Sequence, residues 1–123
     1  LVLALMLPGA DVHLVESDKR KSAFLREASR VLDCKVTIHA ERIESVINRI
    51  HHIDIFTARA LAPLPKLLKY IEPAFNEKKV CIFHKTKGID KELELLNSDN
   101  LKFARVLDSI SDPRGRILVL GVE

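Results

Sequence analysis

Val12-His13-Leu14-Val15-Glu16 is a short apolar, β-rich run that ends on an acid. It is followed by Asp18-Lys19-Arg20-Lys21 and then by Phe24, Leu25, Ala28, Val31 and Leu32 at helical spacing. Apolar residues clustered over a few positions and then recurring every three or four mark a strand feeding a helix. The same beat recurs downstream. Lys35-Val36-Thr37-Ile38-His39 predicts a second strand, with Ile43, Val46, Ile47 and Ile50 behind it at i, i+3, i+4 and i+7. Residues Ile53 to Ala58 predict a third strand, and Pro63 to Phe75 a helix that a proline starts and that carries Leu64, Leu67, Leu68 and Ile71 on one face. Lys79 to His84 predicts a fourth strand, and Lys91 to Leu96 a short helix after Gly88.

The rhythm then changes. Leu101 to Ile110 and Arg116 to Val122 read as two strands joined by the turn composition Ser111-Asp112-Pro113-Arg114-Gly115, which predicts a hairpin. Strands alternating with helices imply a parallel sheet covered on both faces, here with antiparallel strands added at the end. The fold class expected is therefore α/β, a doubly wound and mostly parallel sheet with a C-terminal antiparallel hairpin.

The 123 residues, 47% hydrophobic and 30% charged, suit one domain with a packed core rather than a disordered or fibrous chain. The net charge of +3 is too small and too evenly spread for a polyanion-binding tail. Two cysteines, Cys34 and Cys81, make no disulfide framework, so a reducing, cytoplasmic setting is expected. The chain opens without an initiator Met inside the run Leu1 to Leu7, which ends at Pro8-Gly9. That run is far short of the roughly 20 residues that span a bilayer, and it reads as the end of a buried helix.

In open parallel sheets, ligands bind beyond the carboxyl ends of the strands. This singles out Glu16, the residues His39 to Glu44, Arg59, and the residues His84 to Lys87. Glu16 stands where a carboxylate accepts hydrogen bonds from ribose hydroxyls; its alternative role is capping or ion-pairing the helix that starts near Lys19. Arg59 sits among small and apolar neighbours, and Lys85 and Lys87 follow the fourth strand, a grouping that suits a phosphate backbone. The five histidines form no convergent metal set, and neither a nucleophile elbow nor an HExxH motif is present.

Four blocks carry a resemblance. They are Leu14-Val15-Glu16-Ser17-Asp18-Lys19-Arg20-Lys21-Ser22-Ala23-Phe24-Leu25, Ala40-Glu41-Arg42-Ile43-Glu44, Thr57-Ala58-Arg59-Ala60-Leu61-Ala62-Pro63-Leu64 and Phe83-His84-Lys85. In order and content the chain closely resembles the ribosomal RNA small-subunit methyltransferase G family, also called the glucose-inhibited division protein B family. The resemblance runs from Leu1 to Val122. It implies a class I, Rossmann-like methyltransferase fold in a single domain over residues 1–123. It also implies use of S-adenosylmethionine to methylate N7 of a guanine in small-subunit ribosomal RNA. Carried over by position, Glu16 resembles the ribose-binding acid, and Ile43 and Glu44 the segment bordering the adenine through backbone groups. Arg59 resembles the arginine beside the methyl donor, and Lys85 the strand-end lysine facing RNA, with Lys87 and Arg42 as further RNA-side cations.

Thr86 departs from the glycine that follows the lysine in the family. The resemblance further implies that the first strand and its glycine-rich loop lie upstream of Leu1. The strands at Val12–Glu16 and Ile53–Ala58 should then either be separated or pair directly in an arrangement foreign to the family. The 123 residues alone are expected to be inactive and prone to aggregate, and the complete protein a monomer without membrane attachment. Arg59 and Lys85 are expected at the same edge of the sheet as Glu16. Two other readings share the alternating pattern: a fragment of a dinucleotide-dependent oxidoreductase, and a non-catalytic RNA-binding module.

Overall fold

The computed structural model describes residues 1–59, 62–74, 78–86, 88–94 and 101–122, without the side chains of Leu101, Lys102 and Val122. The chain divides into two compact units, 1–49 and 50–123.

The first unit holds α1 (Val2–Met6), β1 (His13–Val15), α2 (Lys19–Val31), β2 (Thr37–His39) and α3 (Ile43–Val46). β1 and β2 run parallel, with Val15 beside His39. The ladder continues one step at its carboxyl end, where Glu16 N–H donates to the His39 carbonyl at 3.0 Å. Helix α2 starts at Asp18, whose carboxylate accepts from the backbone N–H groups of Arg20 and Lys21 at 2.8 and 3.1 Å, satisfying donors that have no partner inside the helix.

Two expectations need correction here. The run Leu1 to Leu7 is helical but not buried, for only Ala4 is enclosed while Val2 and Met6 are 68% and 71% exposed. The apolar face read on α2 is likewise largely open at Phe24, Val31 and Leu32, and the residue this helix buries completely is Ser22. Its hydroxyl lies 2.8 Å from the Glu16 carbonyl and 2.9 Å from that of Asp18, fastening the first turn of α2 to the end of β1. Helix α3 is also shorter than its spacing predicts. It stops after Val46 with Ile47 at its C-cap, and the chain passes through His52 at φ 57° before the next strand.

The second unit contains β3 (Ile55–Arg59), α4 (Leu64–Ile71), a 3₁₀ turn (Glu72–Ala74), β4 (Lys79–Lys85), α5 (Ile89–Glu94), β5 (Leu101–Asp108) and β6 (Arg116–Val122). The sheet order is β3-β4-β6-β5. β3 and β4 are parallel, and the expected hairpin β5–β6 adds antiparallel strands through β6. β1 and β3 belong to different ladders and are not paired with each other. Because residues opposite one another in a ladder share a face, Phe56, Ala58, Cys81, Phe83, Leu118 and Leu120 line one side of the sheet. Leu64, Leu67 and Ile71 of α4 and Ile89 of α5 complete the core there. Pro63 at the α4 N-cap and Pro65 in its first turn fit positions where a missing N–H costs nothing. Past Ile71 the predicted helix gives way to the 3₁₀ turn Glu72–Ala74; Phe75 and the predicted extension of α5 to Leu96 lie outside the described residues.

Candidate cofactor and RNA site

At the carboxyl end of β1, the short loop to α2 is built by two acids with separate tasks. Asp18 caps the helix, while Glu16 accepts the Asp18 backbone N–H through Oε1 at 3.0 Å. Capping therefore falls to Asp18, and Glu16 Oε2 accepts no hydrogen bond among the described residues. A half-buried carboxylate oriented by one oxygen and open at the other is shaped to accept a ligand hydroxyl.

At the carboxyl end of β2, Arg42 takes the N-cap position of α3 and is exposed, with no side-chain cap. The N–H groups of Ile43 and Glu44, in the first turn, donate to no backbone carbonyl among the described residues. This fits the backbone contact to an adenine that the resemblance implies for them. Close by, His39 Nε2 lies 2.9 Å from His13 Nδ1, with the rings stacked 5.3 Å apart, and Asp11 approaches His13 Nε2 at 3.4 Å. Burial, then the charges of His13 and Arg49, hold the His39 imidazole below its ordinary range, against the pull of Glu41. No group of three or more His, Cys, Asp or Glu that could hold a metal occurs among the described residues.

In the second unit the carboxyl ends of β3 and β4 stand side by side, Arg59 opposite His84. Arg59 is exposed, and its guanidinium has no ion pair or hydrogen bond among the described residues. Lys85 shares that end of the sheet but leaves from the other face, being one residue past His84. It does not present a free ammonium, contrary to the RNA-facing role read from the sequence. Its side chain is 13% exposed, with Nζ donating to the Ala62 carbonyl at 3.1 Å and lying 3.0 Å from Glu92 Oε2. Glu92 Oε2 is fully enclosed and receives no directed hydrogen bond, so the approach is one of charge to charge. The lysine is enclosed because α5 folds back over the end of β4 and brings this acid to it. Lys87 lies outside the described residues, as do Ala60 and Leu61 of the Arg59 block. Sequence reasoning missed Glu92 as a partner. Its only signal was an acid four residues after Gly88, in the first turn of a helix, a position that favours acids in any helix.

Comparison with known proteins supplies the remaining evidence. The GidB family, rRNA small subunit methyltransferase G, matches residues 1–112. The ribosomal RNA small subunit methyltransferase G of Paramagnetospirillum magneticum is 48% identical over 122 residues, covering 98% of this chain and 57% of the relative. The chain thus spans little more than half the length of the curated relatives it matches, 54% in Parvibaculum lavamentivorans and 60% in Gluconobacter oxydans. Among solved structures, an rRNA methylase from Streptococcus thermophilus superposes with TM-score 0.60 at 9% identity, over 92% of this chain and 73% of that one. With the α/β elements and mixed sheets described above, these findings establish a methyltransferase fold, and the chain belongs to the rRNA small subunit methyltransferase G family.

Proposed function

We propose that this chain is part of an S-adenosylmethionine-dependent methyltransferase that modifies N7 of a guanine in small-subunit ribosomal RNA. Both units would then serve a single methyltransferase domain, acting in the cytoplasm on ribosomal RNA or on the assembling small subunit. The observation that carries the reading is Glu16. It ends a parallel strand, has one oxygen fixed by the Asp18 N–H, and leaves the other free to accept a ribose hydroxyl. The N–H groups of Ile43 and Glu44, which donate to no backbone carbonyl among the described residues, agree with it as backbone donors to a purine edge. Glu16, Ile43 and Glu44 thus fit a nucleoside-bearing cofactor. Bound there, S-adenosylmethionine supplies a methyl group activated by its sulfonium.

The chemistry asks little else of the protein. Guanine N7 carries a lone pair and no proton, so no general base is required and none is assigned. Orientation of the base is then the main source of rate. Arg59, exposed and without an ion pair or hydrogen bond of its guanidinium among the described residues, is suited to hold a phosphate or the guanine O6 in a bidentate grip. Arg42 is a second exposed cation at a strand end. A cation directly at N7 would oppose the positive charge that develops on the ring, so these groups belong on the phosphates and O6.

The test is equilibrium binding of S-adenosylhomocysteine and of NADH to the complete protein, paired with methyl transfer to small-subunit ribosomal RNA. We expect binding of the first only. Glu16→Ala should weaken it by roughly 1–3 kcal/mol, the cost of leaving partners of a charged group unpaired. Binding of NADH instead would establish the oxidoreductase reading. Unchanged affinity in Glu16→Ala would remove the acid from the site.

A further inference from the structure

Lys85 is the place where three elements of the second unit meet. It ends β4, its ammonium donates to the carbonyl of Ala62 just before Pro63 starts α4, and it faces Glu92 on α5. Ala62 lies three residues beyond Arg59, the exposed cation at the end of β3 that pairs in the ladder with His84. A lysine kept 13% exposed needs a countercharge, because a desolvated ammonium without one is strongly disfavoured. Glu92 provides that charge from 3.0 Å, and the ammonium's directed hydrogen bond remains available for the Ala62 carbonyl. The acid accordingly fixes the lysine, and the lysine ties the end of β4 to the Ala62 carbonyl ahead of α4.

Resting on the function proposed above, we infer that Glu92 is a positioning residue for methyl transfer, acting through Lys85 to hold the end of β4, and with it Arg59, which is paired in the ladder with the neighbouring His84. Glu92 touches neither substrate nor cofactor in this role. Loss of its charge leaves Lys85 either enclosed and unpaired or swung out to solvent. In the second case the Ala62 carbonyl is released and the end of β4, against which Arg59 is paired, loosens. A displacement of about 1 Å in a positioning element is enough to cost up to a hundredfold in rate.

The experiment compares Glu92→Gln, Glu92→Asp, Lys85→Gln and the double variant Lys85→Gln/Glu92→Gln in the complete protein. For each it measures kcat and KM for rRNA methyl transfer, S-adenosylhomocysteine affinity and thermal unfolding. Glu92→Gln keeps the shape and removes only the charge. It should lower kcat about tenfold or more, while the affinity for S-adenosylhomocysteine changes less than twofold and the protein remains folded at the assay temperature. Glu92→Asp should recover most of the rate, and the double variant should be no slower than the slower of Lys85→Gln and Glu92→Gln alone. A wild type that transfers methyl groups to rRNA, beside a Glu92→Gln protein with the same kcat, would overturn the inference and leave the function standing. So would a loss in Glu92→Gln fully explained by a smaller folded fraction, or strictly multiplicative losses in the double variant. A wild type that methylates no rRNA would overturn the functional reading and this inference with it.

Discussion

Gly121→Ala tests the packing of the hairpin against a definite steric fact. Gly121 lies directly opposite Phe103 across the β5–β6 ladder, and a Cβ placed on it would meet the Phe103 ring at 2.2 Å from Cε1, 2.5 Å from Cδ1 and 2.9 Å from Cζ. Its φ is not positive, so alanine suits the backbone and the ring is the whole obstacle. Phe103 belongs to β5, the edge strand, and is 45% exposed, so the ring can swing into solvent rather than distort the sheet. A fully enclosed phenylalanine buries about 150–250 Å². Losing the covered half, roughly 100 Å², costs up to about 2.5 kcal/mol at ~25 cal/mol per Å². Replacing glycine by alanine in a strand returns about 0.5–1 kcal/mol. We therefore expect Gly121→Ala to destabilise by about 1.5–2 kcal/mol in urea unfolding. In a Phe103→Ala background the same change should instead stabilise by about 0.5–1 kcal/mol, a coupling of about 2.5 kcal/mol between the two sites. An equal loss in both backgrounds would mean that the obstacle is backbone and not the ring. A neutral or stabilising Gly121→Ala in the wild-type background would mean that the ring does not sit on the glycine.

This contact also marks the boundary of what the sequence discloses. The strands and the hairpin were legible because Lys79 to Lys85 and Arg116 to Val122 are apolar runs bounded by turn residues, and α4 because Leu64, Leu67 and Ile71 repeat at a helical period. Periodicity says where an apolar face continues and not where hydrogen bonding stops, so Ile50 was drawn into a helix that ends at Val46. Burial was harder to read. The apolar spacing of α2 promised a covered face, yet the helix encloses a serine whose hydroxyl ties it to β1. The site divides along the same line. The strand-end positions of Glu16 and Arg59 were legible because strand ends are fixed by local pattern, whereas the approach of Glu92 to Lys85 and the His13–His39 pair depend on register and helix placement, which no local pattern encodes. The cap reading fell on Glu16 although Asp18, two residues on, supplies it, since both acids stand before the same helix and only geometry separates them.

Asp18→Ala removes the acceptor for two backbone donors at the start of a 13-residue helix, and it should destabilise the protein by about 1 kcal/mol with some loss of helical circular dichroism. No change in urea midpoint would mean that Glu16 or solvent satisfies those donors equally well. The second prediction concerns acid. His39 is held below its ordinary range by burial first, then by the charges of His13 and Arg49, with Glu41 opposing, so the unfolded chain binds a proton at this position more readily than the folded one. Stability from this source is complete above the ordinary histidine range near pH ~6.5 and is lost as pH falls through that range toward the lowered value in the folded state. Geometry gives the same sign. The 2.9 Å contact between His39 Nε2 and His13 Nδ1 allows one proton between the two nitrogens, and a second would set two N–H groups and two positive charges against each other. Urea midpoints measured between pH 8 and pH 5 should therefore fall on acidification, and His39→Gln should flatten that fall; a wild type that gains stability toward pH 5, or a His39→Gln protein with an unchanged slope, would refute the assignment.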